Sequence, residues 1–353
     1  MADGEYRGLI HRNNADLAAW LAKRPSEVAL EPDLPIIDPH HHLWDAPHRD
    51  RGRYFLPELL ADAGGGHNIV STVFLECQAM FRATGPDEMK PVGEVEFVNG
   101  IAAQSASGQY GKMRACEAII GWADLMLGSR VRAVLEAEIA VAGGRFRGVR
   151  YGTSWDEGPV GKHVSRPIPR HRLLDPKFRE GFAELGKLGL TFDSWHFFPQ
   201  LPDLLDLARA FPGQTIIVDH VGGHLGVGQY AGKQAETLPV WKKNMQDLAG
   251  CPNVVVKLGG LGMTSFGFDF HLRDAPPSSQ ELAAVWKPYI ETCIELFGPD
   301  RCMFESNFPP DKQSCGYTEL WNAFKLITKG ASAAEKTALY SGAAARVYGM
   351  IKP

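Results

Sequence analysis

Residues 34–45 read Leu-Pro-Ile-Ile-Asp-Pro-His-His-His-Leu-Trp-Asp, and this stretch decides how the rest of the chain is interpreted. Its Ile-Ile pair lies between two prolines, a pattern that predicts a short buried strand rather than a helix. Side chains two residues apart on a strand share a face, so Asp38, His40 and His42 are expected on one face. Two imidazoles at this spacing can bind one divalent ion such as zinc. The stretch therefore predicts a strand that ends in a metal site or in contacts to a substrate.

The bulk composition is typical of a globular protein, with 353 residues, 44% hydrophobic and 22% charged. The net charge of −4 gives no electrostatic reason to expect a nucleic-acid partner. Six cysteines without a Cys-x-x-Cys pair indicate neither a disulfide framework nor a cysteine zinc site. Residues 1–14 lack the apolar core of a signal peptide, and no run approaches about 18 apolar residues. We expect a soluble, cytoplasmic protein with no membrane partner, and the sequence is compatible with a homo-oligomer.

Eight apolar segments predict strands, and a segment with helical spacing follows each of them. The predicted strands are residues 36–37, 69–76, 115–120, 145–151, 190–196, 215–219, 254–257 and 301–305. Strands that alternate with helices indicate parallel pairing, and eight such units indicate a single (β/α)8 TIM barrel. A doubly wound parallel sheet is the alternative fold, but such a sheet is built from fewer strand–helix units than the eight predicted here. We expect residues 1–33 to form an arm outside the barrel and residues 34–353 to form the barrel domain.

Polar side chains end seven of the eight predicted strands, where a barrel carries its active site. They are His40, His42, Glu76, Gln78, Arg150, His196, His220, Lys257, Glu305 and Asn307. One such residue alone is more often structural, so the shared position is what indicates a site. Arg150 and Lys257 are expected to bind an anionic substrate, since a guanidinium holds a carboxylate through two parallel donors. The structural alternative is that they neutralise buried carboxylates. Trp44 is expected in the pocket wall, with packing as its alternative role.

Several motifs resemble those of the amidohydrolase-related family. They are Asp38-x-His40-x-His42-x-Trp44, Asp219-His220-x-Gly222, Glu305-Ser-Asn-Phe-Pro309 and Ala343-Ala-Ala-Arg-Val-Tyr348. Over residues 34–350 the sequence is similar to the branch that contains pyrone-dicarboxylate lactonase, sulfomuconolactone hydrolase and sugar-acid lactonases. The resemblance implies a distorted TIM barrel that hydrolyses a lactone, an ester or an amide. It also implies, for many members, a metal-bound water and an aspartate on strand eight that is both ligand and base.

Three positions depart from the family pattern. Asn307 stands where the family has the strand-eight aspartate, and a neutral amide cannot accept a proton. Strand four carries no lysine to bridge two metals, so we expect one ion at most. The strand-five histidine of some relatives aligns near Phe198, and His196 lies two residues earlier, on the same face but one layer deeper.

The metal prediction therefore involves one ion, zinc or manganese, and three histidines. The predicted ligands are His40, His42 and His196. A metal-free site, in which these histidines bind the substrate, stays open.

The expected reaction is the opening of a lactone, cyclic ester or amide of a small carboxylated substrate by attack of water. Glu305 is the predicted base in place of the family's aspartate, with Glu76 as the second choice. Asn307 and His220 are expected to orient the water or the substrate. Two other functions stay open: a metal-dependent decarboxylase of an aromatic or unsaturated acid, and a barrel that binds a small acid without turnover.

Overall fold

A computed structural model describes residues 6, 8, 12–46 and 51–353 of the chain. Eight strands form one parallel sheet whose order follows the order along the chain. These strands are β1 (Pro35–His41), β4 (Asn68–Leu75), β5 (Arg114–Gly121), β6 (Phe146–Gly152), β7 (Thr191–Trp195), β8 (Ile216–Val218), β9 (Val254–Leu258) and β10 (Cys302–Phe304). A separate antiparallel pair consists of β2 (Trp44–Ala46) and β3 (Arg51–Tyr54).

One long helix follows each strand of the eight-stranded sheet. These helices are α2 (Leu56–Ala63), α3 (Val92–Ala106), α4 (Val131–Val141), α5 (Pro176–Lys187), α6 (Leu201–Ala210), α7 (Gln234–Ala249), α8 (Ser279–Phe297) and α9 (Tyr317–Ile327). Helix α1 (Asn14–Leu21) precedes the barrel, and α10 (Ala333–Thr337) and α11 (Ala343–Val347) follow it. Ser278 and Glu281 form a capping box at the start of α8, which satisfies backbone donors there. No helix in the described part of the chain has the length and apolar composition needed to cross a bilayer.

The sheet closes where the segment after β10 meets β1. Phe308 forms a parallel bridge with His41, and its carbonyl oxygen accepts a hydrogen bond from the backbone N–H of His42 at 2.8 Å. The backbone N–H of Asn307 donates to the carbonyl oxygen of His40 at 2.9 Å. Eight parallel strands, closed in this way and each followed by a helix, form a (β/α)8 barrel. The predicted fold class is confirmed.

The interior of the barrel changes from apolar to charged along the strands. Buried apolar side chains fill one layer, namely Ile37, Val73, Leu75, Ala118, Ile120, Ile217, Val255 and Met303. Tyr348 and the alanines of α11 pack against this layer. Because side chains alternate with a period of two, the next inward residues after Ile217, Val255 and Met303 are Asp219, Lys257 and Glu305. The strand period therefore places charged groups directly above an apolar floor.

The described part of the predicted arm, residues 12–33, packs outside the sheet. Trp20 Nε1 donates to the carbonyl oxygen of Arg273 in the loop before α8, at 2.8 Å. Asn322 Nδ2 on α9 donates to the carbonyl oxygen of Val28 at 3.0 Å. These contacts join the arm to two segments that follow barrel strands. The earlier part of the predicted arm lies largely outside the described residues.

Glu138 on α4 provides a test of a buried carboxyl group that is carried by a helix rather than by a strand. Its side chain is fully buried, and burial together with the Glu94 carboxylate raises its pKa well above 4.5. The folded state therefore holds a proton that the unfolded state releases, so this contribution to stability is present below pH 4.5 and falls as the pH rises. Glu138→Gln removes the titration. The wild type should therefore lose stability relative to Glu138→Gln as the pH rises. Between pH 5 and pH 8 the difference between their free energies of unfolding, variant minus wild type, should grow by about 1 kcal/mol or more.

Denaturant unfolding at both pH values measures this difference. Glu136→Gln is the matched control, because Glu136 lies on the same helix but is exposed and pairs with Arg132. A difference that does not change with pH would show that Glu138 is ionised in the folded protein.

Candidate active site

Ionisable side chains from seven strands meet at the C-terminal end of the barrel, and we call them the barrel-end cluster. The cluster consists of His40, Glu76, Arg150, Asp193, Asp219, His220, Lys257 and Glu305. Each of these residues is at most 9% exposed. A barrel of this kind carries its active site at this end of the strands.

Glu305 lies at the centre of the cluster and contacts two imidazoles. Its Oε2 atom lies 2.6 Å from His40 Nδ1, and its Oε1 atom lies 2.7 Å from His220 Nδ1. The backbone N–H of His220 also donates to Glu305 Oε1, at 3.2 Å. His40, His220 and Glu305 each offer a ligand atom, and these atoms all lie within 4.8 Å of one another. We call these three residues the His-Glu group.

Several buried oxygens beside the His-Glu group lack hydrogen-bond partners. Glu305 Oε2 and both carboxylate oxygens of Asp219 make no hydrogen bond to the described residues. The approach of Glu305 Oε2 to His40 is close but is not aligned as a hydrogen bond. Lys257 Nζ lies 3.2 Å from Asp219 Oδ1 and so offsets part of the cost of burying these oxygens, and a second cation would satisfy the rest. Two imidazoles and one carboxylate are also the ligands of many catalytic zinc ions, so the His-Glu group fits one divalent ion.

The charge of the inner part of the cluster fits the same ion. When they are ionised, Asp193, Asp219 and Glu305 carry three negative charges against the single positive charge of Lys257. These four groups therefore have a net charge of −2, which one divalent cation would balance.

Burial sets the protonation of the same groups. Burial lowers the pKa of His40 well below 6.5 and that of His220 to about 3, so both rings are neutral, the state in which imidazole binds a metal. Burial raises the pKa of Glu305 to about 8 and that of Asp219 to about 6, and Lys257 opposes both shifts. These shifts are expected for crowded carboxylates whose charge is only partly balanced.

Lys257 lies within the barrel and is not exposed to a substrate. Its Nζ atom lies 2.6 Å from Asp193 Oδ1 and 3.2 Å from Asp219 Oδ1. Tyr348 Oη donates to the same Asp193 oxygen at 2.7 Å. These contacts favour the structural alternative for Lys257, in which it neutralises buried carboxylates. The sequence analysis did not single out Asp193. The feature that could have indicated it is its place inside a predicted strand, where a charged side chain is buried and needs a partner of opposite charge.

Arg150 is also committed to partners within the protein. Its Nε donates to Glu76 Oε1 at 3.0 Å, and its Nη2 donates to the carbonyl oxygen of Glu76. Its Nη1 lies 3.2 Å from His40 Nε2. These contacts match the structural alternative given above for Arg150, in which it neutralises a buried carboxylate, here Glu76. Arg150 therefore positions Glu76 and His40 with three of its five N–H donors.

His42 lies beside the His-Glu group but does not belong to it. Its Nδ1 lies 2.8 Å from the carbonyl oxygen of Leu75, and its ring is 5.0 Å from that of His40. Trp44 stacks on the other side of His42, with ring centres 5.9 Å apart. His42 and Trp44 thus extend the site from His40 toward the β2–β3 pair.

His196 is buried after β7, where its Nδ1 lies 3.0 Å from Ser194 Oγ. Its Nε2 atom has no hydrogen-bond partner among the described residues. The predicted metal ligands were His40, His42 and His196. The group that the structure brings close enough to hold a metal is instead His40, His220 and Glu305.

Asp38 does not share a face with His40, so that expectation was wrong. Asp38 Oδ1 accepts a hydrogen bond from the backbone N–H of Ser306 at 2.9 Å, and its Oδ2 accepts one from Tyr317 Oη at 3.0 Å. Asp38 therefore faces α9. The pairing of β1 shifts register between Asp38 and His41, and regular alternation does not continue across such an irregularity.

Asn307 is held by a carboxylate that the sequence analysis did not single out. Its Nδ2 donates to Asp311 Oδ1 at 2.7 Å, and Asp311 Oδ2 accepts a hydrogen bond from the backbone N–H of Gly262 at 2.8 Å. Both side chains are buried. One of the two N–H donors of the Asn307 amide is therefore already used within the loop after β10.

The closed barrel and the His-Glu group at its C-terminal end define a class of enzyme. The sequence model of the amidohydrolase family matches residues 37–350, and the chain belongs to this family. The protein is an enzyme of the amidohydrolase type.

Individual relatives share nearly the whole length of the chain. An uncharacterized protein of Sinorhizobium fredii, y4mH, is 32% identical and covers 90% of this chain and 99% of its own length. An L-fucono-1,5-lactonase of Burkholderia multivorans is 26% identical over 90% of this chain and 97% of its own. An amidohydrolase of Burkholderia multivorans with bound zinc superimposes with a TM-score of 0.66 at 24% identity, over 90% of this chain and 99% of its own.

The buried charges predict a large effect of removing Lys257. Lys257→Met should lower the free energy of unfolding by about 3–5 kcal/mol, because it leaves Asp193 and Asp219 without their cation. Chemical denaturation measures the loss, and adding Asp193→Asn should recover part of it. Lys243→Met is the control, since Lys243 is exposed and pairs with Asp247 on α7, and it should cost less than about 1 kcal/mol. Equal losses for the two lysine variants would contradict the described network.

Proposed function

We propose that this protein opens a lactone or cyclic ester of a small acid by attack of water at the His-Glu group. The observation that carries the proposal is a single buried carboxylate in contact with two neutral imidazoles at the C-terminal end of the barrel. The similarity to L-fucono-1,5-lactonases supports a lactone over an amide.

His40, His220 and Glu305 would hold one divalent ion. Two imidazole ligands favour zinc, and manganese is the alternative because carboxylates suit it. The zinc in the Burkholderia multivorans amidohydrolase supports the same preference. When bound, the ion would polarise the carbonyl group of the substrate and lower the pKa of water.

Glu305 in its ionised form is the group best placed to accept a proton from the attacking water, and a bound cation would favour that form by opposing the burial that raises its pKa to about 8. Its Oε1 is bound by His220, whereas its Oε2, the oxygen that a cation would satisfy, has no hydrogen bond to the described residues. The water oxygen bonds to the carbonyl carbon, the ring C–O bond breaks, and the proton passes through Glu305 to the leaving ring oxygen. The product is an open-chain hydroxy acid. Arg150 keeps His40 in place throughout, through its contact with Nε2.

Replacement of Glu305 tests this role. Glu305→Gln keeps the shape of the side chain and removes the base, so kcat should fall by a factor of about 10² to 10⁴. The assay follows ring opening for a panel of lactones, with hydroxybenzoates included. Glu138→Gln is the control, because Glu138 is an equally buried carboxyl group outside the barrel-end cluster, and it should keep near-normal activity. Normal kcat in Glu305→Gln would transfer the role to Glu76, and release of CO₂ without ring opening would identify a decarboxylase.

Metal content tests the ligand set. His220→Ala should lose most of the bound metal, because His220 belongs to the His-Glu group, whereas His196→Ala should retain it. Elemental analysis of the purified variants measures the metal directly and needs no substrate. Retention of metal by His220→Ala together with its loss from His196→Ala would support the set expected from the sequence instead.

A further inference from the structure

Arg166 lies at the mouth of the barrel-end cluster, on the loop between β6 and α5. The guanidinium carbon lies 3.8 Å from the centre of the Trp122 ring, and Nη1 lies 3.8 Å from Glu76 Oε2. The second distance is too long for a hydrogen bond, and Arg166 makes no hydrogen bond to the described residues. Its side chain is 25% exposed. Arg166 therefore keeps its N–H donors free beside the site.

The rim of the site has an excess of positive charge. Arg150, Glu76 and Arg166 form a row, in which Glu76 Oε1 pairs with Arg150 while Glu76 Oε2 faces Arg166. Two guanidinium groups and one carboxylate leave a net charge of +1. Three of the five N–H donors of Arg150 face Glu76 and His40, whereas none of those of Arg166 makes a hydrogen bond to the described residues, so Arg166 offers the larger set of free donors in this row.

Other polar groups at the same end of the barrel also lack partners. Trp122 Nε1 follows β5, and Thr153 Oγ1 and Ser154 Oγ follow β6. All three atoms are buried and make no hydrogen bond to the described residues. A buried donor without a partner costs about 1–3 kcal/mol, and a polar ligand at this end of the barrel would remove that cost.

The part of the loop around Arg166 is basic, although the whole loop between β6 and α5, which also contains Asp156, Glu157 and Asp175, has a formal net charge of only +1. Between Glu157 and Asp175 it contains no acidic residue. Its basic residues in that interval are Lys162, His163, Arg166, Arg170, His171 and Arg172. A concentration of positive charge beside a cleft raises the local concentration of anions. The loop thus favours the approach of a negatively charged molecule.

We infer that Arg166 binds a free carboxylate of the substrate through two parallel N–H donors, with its guanidinium packed on the face of Trp122. The inference rests on the proposed hydrolysis and specifies its substrate as an anionic lactone, one that carries a carboxylate besides the bond that is opened. A planar fork of donors matches the two oxygens of a carboxylate, and packing on an indole ring holds the fork in one orientation. The charge of the substrate balances the net charge of the rim.

The first experiment compares Arg166→Gln with Arg170→Gln in the full-length protein. Arg170 lies on the same loop and packs over Trp155 at 5.1 Å, so it is a matched control outside the rim row. For lactones with a free carboxylate, Arg166→Gln should raise KM by about 10-fold to 100-fold, the loss expected for charge-assisted hydrogen bonds, with little change in kcat. For neutral lactones of the same ring size, KM should not change. Arg170→Gln should behave as the wild type with both substrates.

A second experiment needs no turnover. Isothermal titration measures the binding of cyclohexanecarboxylate and of the neutral cyclohexanecarboxamide to the wild type and both variants. The wild type and Arg170→Gln should prefer the carboxylate by about 10-fold or more, and Arg166→Gln should lose this preference. A wild type without the preference, or an Arg166→Gln variant that keeps it, would overturn the inference. If no lactone is hydrolysed, the proposed function fails while the titration still decides the role of Arg166.

Discussion

The buried ammonium of Lys257 is the charge on which the arrangement of the site depends. From β9 it reaches Asp193 on β7 and Asp219 after β8, and so it ties three neighbouring strands together inside the barrel. Tyr348 joins the same network from the C-terminal segment. Removal of carboxylates from water costs several kcal/mol each, and a cation at hydrogen-bond distance offsets that cost. Without Lys257, further carboxylates could not be buried beside Glu305.

The charges of the barrel-end cluster are layered. An apolar floor is followed by an inner group of net charge −2, formed by Asp193, Asp219, Glu305 and Lys257. The rim beyond it, with Arg166, has a net charge of +1. This order suits a metal cation inside and a substrate carboxylate outside, so that a carbonyl group lies between them. If the protein acts as proposed, the geometry of the barrel would set both the chemistry and the charge of the substrate that it favours.

The strand-eight region has kept a carboxylate but moved it. The resemblance placed the family's aspartate at position 307, where this chain has an asparagine whose amide is bound to Asp311. Glu305 lies two residues earlier, on the same face and one layer deeper. Its longer side chain lets the carboxylate contact both His40 and His220 from that deeper position.

The sequence by itself determined the barrel and the strand ends, because strand alternation and helix periodicity are local properties of the chain. It indicated His40, His220 and Glu305 for the same reason, since each follows an apolar strand. Only the tertiary structure decided which of these groups meet. Pairing across the barrel depends on the register between strands that are far apart in sequence, and an irregularity in β1 turns Asp38 away from His40. The contacts of Lys257 and Arg166 are likewise made with residues that are distant in sequence, which no local pattern specifies.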